Sequence, residues 1–352
     1  MSATPLQAEI FESKQIDGKF QNSEISYSTG MGDIYGAMKA YFTTTRTEPV
    51  PTEPLPSMTL TAEQIENTKQ ASVARLGHST MLIRLDGKTI LTDPVFSDRA
   101  SPVQWAGPKR FQDAAISLQD LPHIDMVVIS HDHYDHLDKG AIKALHHKVD
   151  HFLVPLKIAK ILTDWGVSEH KVIELDWWEE KQIDSILFAA TPTQHFSGRG
   201  LFDKDSTLWA SWVIKGEQAN LYFSGDSGYF SGFKAIGEKY GPFDLTMMET
   251  GAYSEAWSQI HMMPEQSVQA HIDLKGKAML PIHNSTFDLS VHDWFEPLDR
   301  ALSAAQSRNV QLVTPIFGQM MPVQDIPASA QYAWWREVQK QPESEMQTAS
   351  VK

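Results

Sequence analysis

The chain has 352 residues, 41% of them hydrophobic, enough to bury a sizeable core in one large domain or two smaller ones. A formal net charge of -14 at pH 7 counts against nucleic acid as a partner, because phosphate binding relies on basic surface, and against strong electrostatic attachment to anionic lipid. With no cysteine there are no disulfides and no thiolate metal ligands, which fits a reducing compartment.

In chain order, Met1 to Ile10 carry neither a basic start nor an apolar core, so no secretory signal is visible. No apolar run approaches the ~20 residues needed to cross a bilayer, and a cytoplasmic location is expected. Residues 1–70 read as an N-terminal extension wrapping the core, in which the prolines of Thr44 to Pro56 enforce extended chain. A short helix is expected from Thr61, as cap, to about Gln70. Residues 71–325 read as the main domain. From Val73 strands dominate, with helices expected at Lys139 to His147, Leu156 to Trp165, Gly232 to Lys239, Pro264 to Ile272 and His292 to Arg308. Residues 326–352 read as a C-terminal helix and a polar tail, Gln341 to Lys352. The pairs Trp177-Trp178 and Trp334-Trp335 fit either a lipid interface or core packing, with core packing preferred.

The chemistry concentrates at Met126 to Asp138, where an apolar strand runs into His131, His133, Asp135 and His136, spaced H-x-H-x-D-H. Imidazole and carboxylate are the donors a borderline divalent cation prefers, and one such segment has enough of them to feed two adjacent ions. The plainer reading is a polar strand-to-helix turn in which Asp135 or Asp138 caps the helix near Lys139. Other apolar runs also end in a ligand-type residue: Thr89 to Thr92 in Asp93, Ile186 to Gln194 in His195, Asn220 to Gly225 in Asp226, and Ala278 to Ile282 in His283. Singly, His195 and His283 read as hydrogen-bonded histidines and Asp226 as a turn residue. With the cluster, all three become candidates for the roughly seven ligand positions two metals require, sharing one rim of neighbouring strand ends.

These residues, with Pro281 before His283, resemble the metallo-β-lactamase superfamily of metal-dependent hydrolases. Longer strings are similar to one branch, the N-acyl-phosphatidylethanolamine-hydrolysing phospholipase D and its bacterial relatives: Leu91-Thr92-Asp93-Pro94, Gly107-Pro108-Lys109-Arg110-Phe111, Glu174 to Glu180, Gly225-Asp226-Ser227-Gly228-Tyr229 and Tyr240 to Leu245. The likeness runs from about Val73 to about Leu302. It implies an α/β fold of αββα type, two mixed sheets flanked by helices. It implies two divalent ions, zinc foremost with iron or manganese compatible, one held by His131, His133 and His195, the other by Asp135, His136 and His283, with Asp226 bridging. A hydroxide between the ions would be the nucleophile, oriented by Asp135. His78 and Asp93 read either as residues that orient ligands or as structural residues at strand ends.

The resemblance also places His261 near the reacting group, to steady a phosphate or protonate the leaving group, and Gln104 and Trp105 on a substrate-facing loop. It implies a homodimer. Asn284-Ser285-Thr286 stands where the branch's mammalian member has Trp-Gly-Thr, and Gly198 where a basic residue would lie, so substrate preference is expected to depart. The expected function is a phosphodiesterase of phospholipase D type acting on a small molecule or a phospholipid, with peripheral membrane contact through apolar groups. A metal-dependent lactonase or carboxylic-ester hydrolase, and a non-catalytic metal-binding scaffold, are the alternatives.

Overall fold

A computed structural model of the chain describes residues 11–25, 39, 43–200 and 202–339. A hairpin of β1 (Lys14–Ile16) and β2 (Lys19–Gln21) precedes the sheets. The first sheet holds β3 (Ser72–Arg75), β4 (Met81–Leu85), β5 (Lys88–Thr92), β6 (Ile124–Val128), β7 (Val149–Pro155) and β8 (Val172–Leu175), in that spatial order. The second holds β9 (Glu180–Ile183), β10 (Ile186–Thr191), β11 (Ser211–Lys215), β12 (Asn220–Phe223), β13 (Phe243–Glu249), β14 (Gly276–Ile282) and β15 (Gln311–Leu312), also in sequence order, while β16 (Met321–Pro322) returns to the outer edge of β3. Both sheets are mixed: β3 to β5 pair antiparallel and β5 to β8 parallel, β9 to β12 antiparallel and β12 to β15 parallel.

Period-two alternation sorts the strand residues onto two faces. Met81, Ile83, Ile90, Met126 and Val128 face inward and meet Phe188, Trp212, Ile214, Leu221, Phe223, Met247 and Leu280 of the second sheet. Their neighbours Leu82, Leu91, Val127 and Phe152 face outward, under α1 (Ala62–Asn67), α2 (Lys139–Leu145) and α3 (Ala159–Asp164). On the far side Val213, Tyr222, Met248 and Met279 pack under α4 (Gly232–Lys239), α5 (Pro264–Asp273) and α6 (Glu296–Ser307). This is the αββα sandwich expected from the sequence. Each large apolar side chain fully buried in these layers contributes about 1.5–3 kcal/mol. Trp177, Trp334 and Trp335 are buried in them and Trp178 is half-buried, so core packing, not a lipid interface, accounts for these pairs.

Helix α4 has the expected bounds, and Thr61 caps α1 through a reciprocal box with Gln64. Helix α2 ends at Leu145 rather than His147, and larger differences occur in three other helices. Helix α3 begins at Ala159 rather than Leu156, because β7 continues to Pro155 and Lys157 holds a left-handed φ of 69°. Helix α6 begins at Glu296 rather than His292, because Asp293 is spent on anchoring the proline-rich segment, accepting from Thr47 Oγ1 at 2.5 Å and Glu48 N at 2.8 Å. Helix α1 stops at Asn67, with Thr68 already extended. Past Pro327 there are a 3-10 turn, Ala328–Gln331, and α7 (Trp335–Val338). The expected polar tail, and Met1 to Ile10, lie outside the described residues.

Candidate metal centre

Strands β5 and β6 are parallel, so their C-terminal ends share one edge of the first sheet; β12, β13 and β14 are parallel, and β10 runs with them across the antiparallel β11. The two edges are sewn together where Trp212 Nε1 donates to Ile129 O at 2.9 Å and Ala210 N to Ser130 O at 2.9 Å. At this seam the chain runs on past the end of β6, Ile129 N donating to Leu153 O at 3.0 Å, and successive side chains diverge. His131 and His133 point into the seam, whereas Asp132 points away, accepting from Gly198 N at 2.8 Å and Thr207 Oγ1 at 2.9 Å. Asp138, at the end of the turn that follows His133, caps α2 by accepting from Gly140 N at 2.8 Å. Capping therefore falls to Asp138 and leaves Asp135 free for the cluster.

Two groups of donors result. His131 Nε2 lies 2.9 Å from His133 Nδ1, which lies 3.3 Å from His195 Nε2. In the second group His136 Nε2 is 3.5 Å from Asp135 Oδ2 and His283 Nε2 is 3.2 Å from it. Asp226 Oδ2 stands between the groups, 3.1 and 3.0 Å from His136 and His283 Nε2, and 3.9 and 3.8 Å from His131 and His195 Nε2. All seven residues the sequence nominated as ligands are thus brought together.

Neighbouring groups fix the ring directions. His136 Nδ1 donates to Asp93 Oδ2 at 2.7 Å, and Asp93 is itself held by Ser130 N and Oγ at 2.7 and 2.5 Å. His195 Nδ1 donates to Ile260 O at 2.9 Å, and His78 Nε2 lies 3.2 Å from Asp135 Oδ2. Asp93 and His78 therefore touch the cluster as the sequence anticipated. The backbone is strained where it delivers these groups: Asp93 (φ 33°), Gly225 (54°), Ala252 (54°) and His283 (64°) are left-handed. Only glycine fits at 225, since a Cβ there would meet that of Ser130 at 2.5 Å.

The donor set fits divalent cations. Bonds of about 2.0–2.1 Å in a tetrahedral site place ligand atoms about 3.3–3.4 Å apart, close to the 3.0–3.5 Å separating His136, His283, Asp135 and Asp226. His136 Nε2 and Asp226 Oδ1 are buried without a hydrogen-bond partner among the described residues, as are His78 Nδ1 and His283 Nδ1. Such orphaned atoms are costly unless another group satisfies them. Without cations the electrostatics are divided. Burial disfavours charge on every member, yet Asp226 and Asp135 hold His136 well above the usual imidazole range and His283 up to about 10. Burial and the neighbouring histidines instead push His131 well down.

His261 borders the cluster, 3.9 Å from Asp226 Oδ2 through Nδ1. It lines a cavity of about 250 Å³ together with His133, Asp135, Asp226 and His283 on the polar side and Phe196, Trp257, Ile260 and Leu289 on the apolar side. Gln104 and Trp105 are not among its lining residues. Gln104 Oε1 accepts from Arg99 N at 3.0 Å and its Nε2 donates to Arg99 O at 3.2 Å, and the residue borders a neighbouring cavity of about 510 Å³ shared with Arg99, Lys139, Lys143, Trp165 and Arg199. Trp105, next in the chain, is 82% exposed.

Asn22 and Glu249, absent from the sequence-based candidates, also touch the cluster. Asn22 grips both sides of His195, donating Nδ2–H to its carbonyl at 2.7 Å and accepting its N–H at 3.0 Å. Nothing in the sequence marks a contact across 173 positions. Glu249, at the end of β13, is buried and hydrogen-bonds to His261 Nδ1. It obeys the same rule of strand ends that nominated Asp226 and His283. Burial pushes its carboxyl well above its ordinary range and His261 down to about 4.

Fold and donor set together define a metal-dependent hydrolase of the αββα class. The model of the β-lactamase superfamily domain matches residues 88–284, more than half of the chain, and the protein belongs to that family. Among relatives, the uncharacterized protein Rv0906 of Mycobacterium tuberculosis is 44% identical over 274 residues, covering 77% of this chain and 73% of its own. N-acyl-phosphatidylethanolamine-hydrolyzing phospholipase D 1 of Caenorhabditis elegans is 35% identical over 289 residues, covering 77% and 81%. Of solved structures, Igni18, a metallo hydrolase from Ignicoccus hospitalis, has a TM-score of 0.54 at 21% identity over 72% of this chain and 97% of its own, a likeness of fold.

Proposed function

We propose that the protein is a dinuclear metal-dependent phosphodiesterase of phospholipase D type, acting on N-acyl-phosphatidylethanolamine-like lipids. One cation would be held by His131, His133 and His195, the other by Asp135, His136 and His283. The observation that carries this reading is the place of Asp226 Oδ2, within 3.1 Å of two imidazole nitrogens of one group and 3.9 Å of two of the other, where a shared carboxylate belongs. Zinc suits these donors best, with iron and manganese compatible. Bound divalent cations supply a water acidic near neutral pH and draw off charge that develops on a phosphoryl oxygen.

The chain does the rest. Asp135, with an oxygen turned into the cluster, would orient the attacking water and take its proton. His261 would present a ring nitrogen to the leaving oxygen and, once it has gained the proton released by the attacking water, pass that proton on as the P–O bond breaks. Water adds to phosphorus, and the products are a phosphatidic acid and an N-acylethanolamine. Phe196, Trp257, Ile260 and Leu289 would cover the apolar part of the substrate beside the reacting group. Peripheral contact with lipid would fall on Trp105, 82% exposed, and Phe202, 94% exposed, which flank in sequence the Gln104 and Arg199 of the basic cavity. The substrate class rests on the name of the nematode relative.

A cavity of about 250 Å³ is small for a lipid that carries an N-acyl chain besides its two glycerol acyl chains, which favours as second reading a lactone or carboxylic ester attacked by the same water. The test is a paired panel of N-acyl-phosphatidylethanolamine, aryl phosphodiesters and acyl lactones, with protein of measured metal content, with and without chelator. Chelator-sensitive release of phosphatidic acid is expected. Lactone opening without phosphodiester cleavage would establish the second reading instead.

A further inference from the structure

Glu249 is a buried carboxylate that no step above uses. It is held on several sides. Its Oε2 accepts from Ser227 N at 2.6 Å, its N–H donates to Ser224 Oγ at 2.8 Å, and its carbonyl accepts from Ser267 Oγ at 2.6 Å. The remaining oxygen, Oε1, contacts His261 Nδ1 and lies 3.9 Å from His283 Nδ1. His261, by contrast, lies outside helix and strand, just after the 3-10 turn Glu255–Trp257. That segment is close-packed on Gly228, where a Cβ would come 2.0 Å from Gln259 O.

We infer that Glu249 is a positioning residue: by engaging Nδ1 it fixes the plane of the His261 ring and commits Nε2 to the cavity floor. An imidazole hydrogen-bonded through one nitrogen can rotate only by breaking that bond, and a rigid partner therefore sets the direction of the other nitrogen. The chemical use of Nε2 rests on the hydrolase reading above; the ring's orientation does not.

The experiment compares the full-length, metal-loaded protein with its Glu249→Gln, Glu249→Asp and Glu249→Leu variants. The His261 ring N–H resonance is read by nitrogen-15 NMR, assigned by its loss in His261→Ala. Metal content and turnover are measured alongside. Gln keeps an acceptor oxygen in place, Asp keeps the charge but withdraws the acceptor by one methylene, and Leu removes it. The protected ring N–H is expected to persist in Gln and to vanish in Asp and Leu, with metal content equal in all. For Asp and Leu, kcat is expected to fall roughly 10–100-fold, with KM changing less, and no further loss is expected in a His261→Ala background. An unchanged His261 resonance in both Asp and Leu, or loss of metal from them, would overturn the assignment, the latter making Glu249 a support of the metal donors. If no substrate of the panel is turned over, the hydrolase reading fails while the resonance still decides the positioning role.

Discussion

Asp226 offers the sharpest test at the scale of single residues, because its Oδ2 is the atom the two donor groups share. Asp226→Asn keeps size and one oxygen but removes the negative charge, leaving His136 and His283 facing a neutral amide. Turnover is expected to drop by more than the roughly 10–100-fold typical of outer-shell substitutions, with the far-ultraviolet circular dichroism spectrum unchanged. His133→Ala should behave alike, since His133 is at the rim and only half-buried. Full activity in either would refute the metal assignment. For Asp93→Asn, which keeps an acceptor for His136 Nδ1 but weakens it, the expectation is a loss of roughly 10–100-fold in metal affinity, read by competition with a chromogenic chelator. The seven candidate ligands were legible because four fall in one short segment, His131 to His136, and three follow apolar strands. Glu249 carried the same mark but looked like an ordinary strand terminus, since its partner His261 lies on a loop whose path the sequence does not reveal. Asn22 carried no mark at all.

Helix α5 shows what secondary-structure elements contribute. Pro264 at its first turn fixes its start, as expected from the sequence, and its buried side, Val268, Ala270 and His271, lies against β13 and β14. His271 is held there by Thr246 at 2.7 Å, and Gly276 leaves room for its ring, since a Cβ at that position would meet Nδ1 at 2.4 Å. Burial lowers its pKa from 6.5 to about 4. The folded state therefore binds this proton less readily than the unfolded chain. The stability His271 provides is whole above pH 6.5 and is lost as pH falls toward 4, by about 3 kcal/mol across the window. In thermal melts from pH 7 to pH 4.5, His271→Asn is expected to lose stability less steeply than the unaltered protein. Parallel profiles would show that His271 is not the titrating group. Elements were misjudged where tertiary contacts overrode pattern, as at Lys157, whose left-handed backbone delays α3, and at Asp293, taken by the segment at Thr47.

Across the whole molecule, the candidate site joins two sheets that otherwise meet through apolar packing and polar contacts such as those of Trp212 and Ala210. Ligands from β6 and the turn after it come from the first sheet, and those after β10, β12 and β14 from the second. Cations bound here would act as a clasp between the two halves, and folding and metal binding become linked. Free metal at 100 times its dissociation constant stabilises the folded state by about 2.7 kcal/mol. In a domain of this size, that corresponds to a rise in melting temperature on the order of 5–10 °C. Chelator is therefore expected to lower the midpoint of the unaltered protein by about that much. In Asp226→Asn, already poor in metal, chelator should change little. The comparison separates a clasp from a bystander. If both proteins melt alike with and without chelator, the apolar layer and the hydrogen bonds between the sheets hold the sandwich without the cations, and the strained left-handed turns at Asp93 and His283 are maintained by packing.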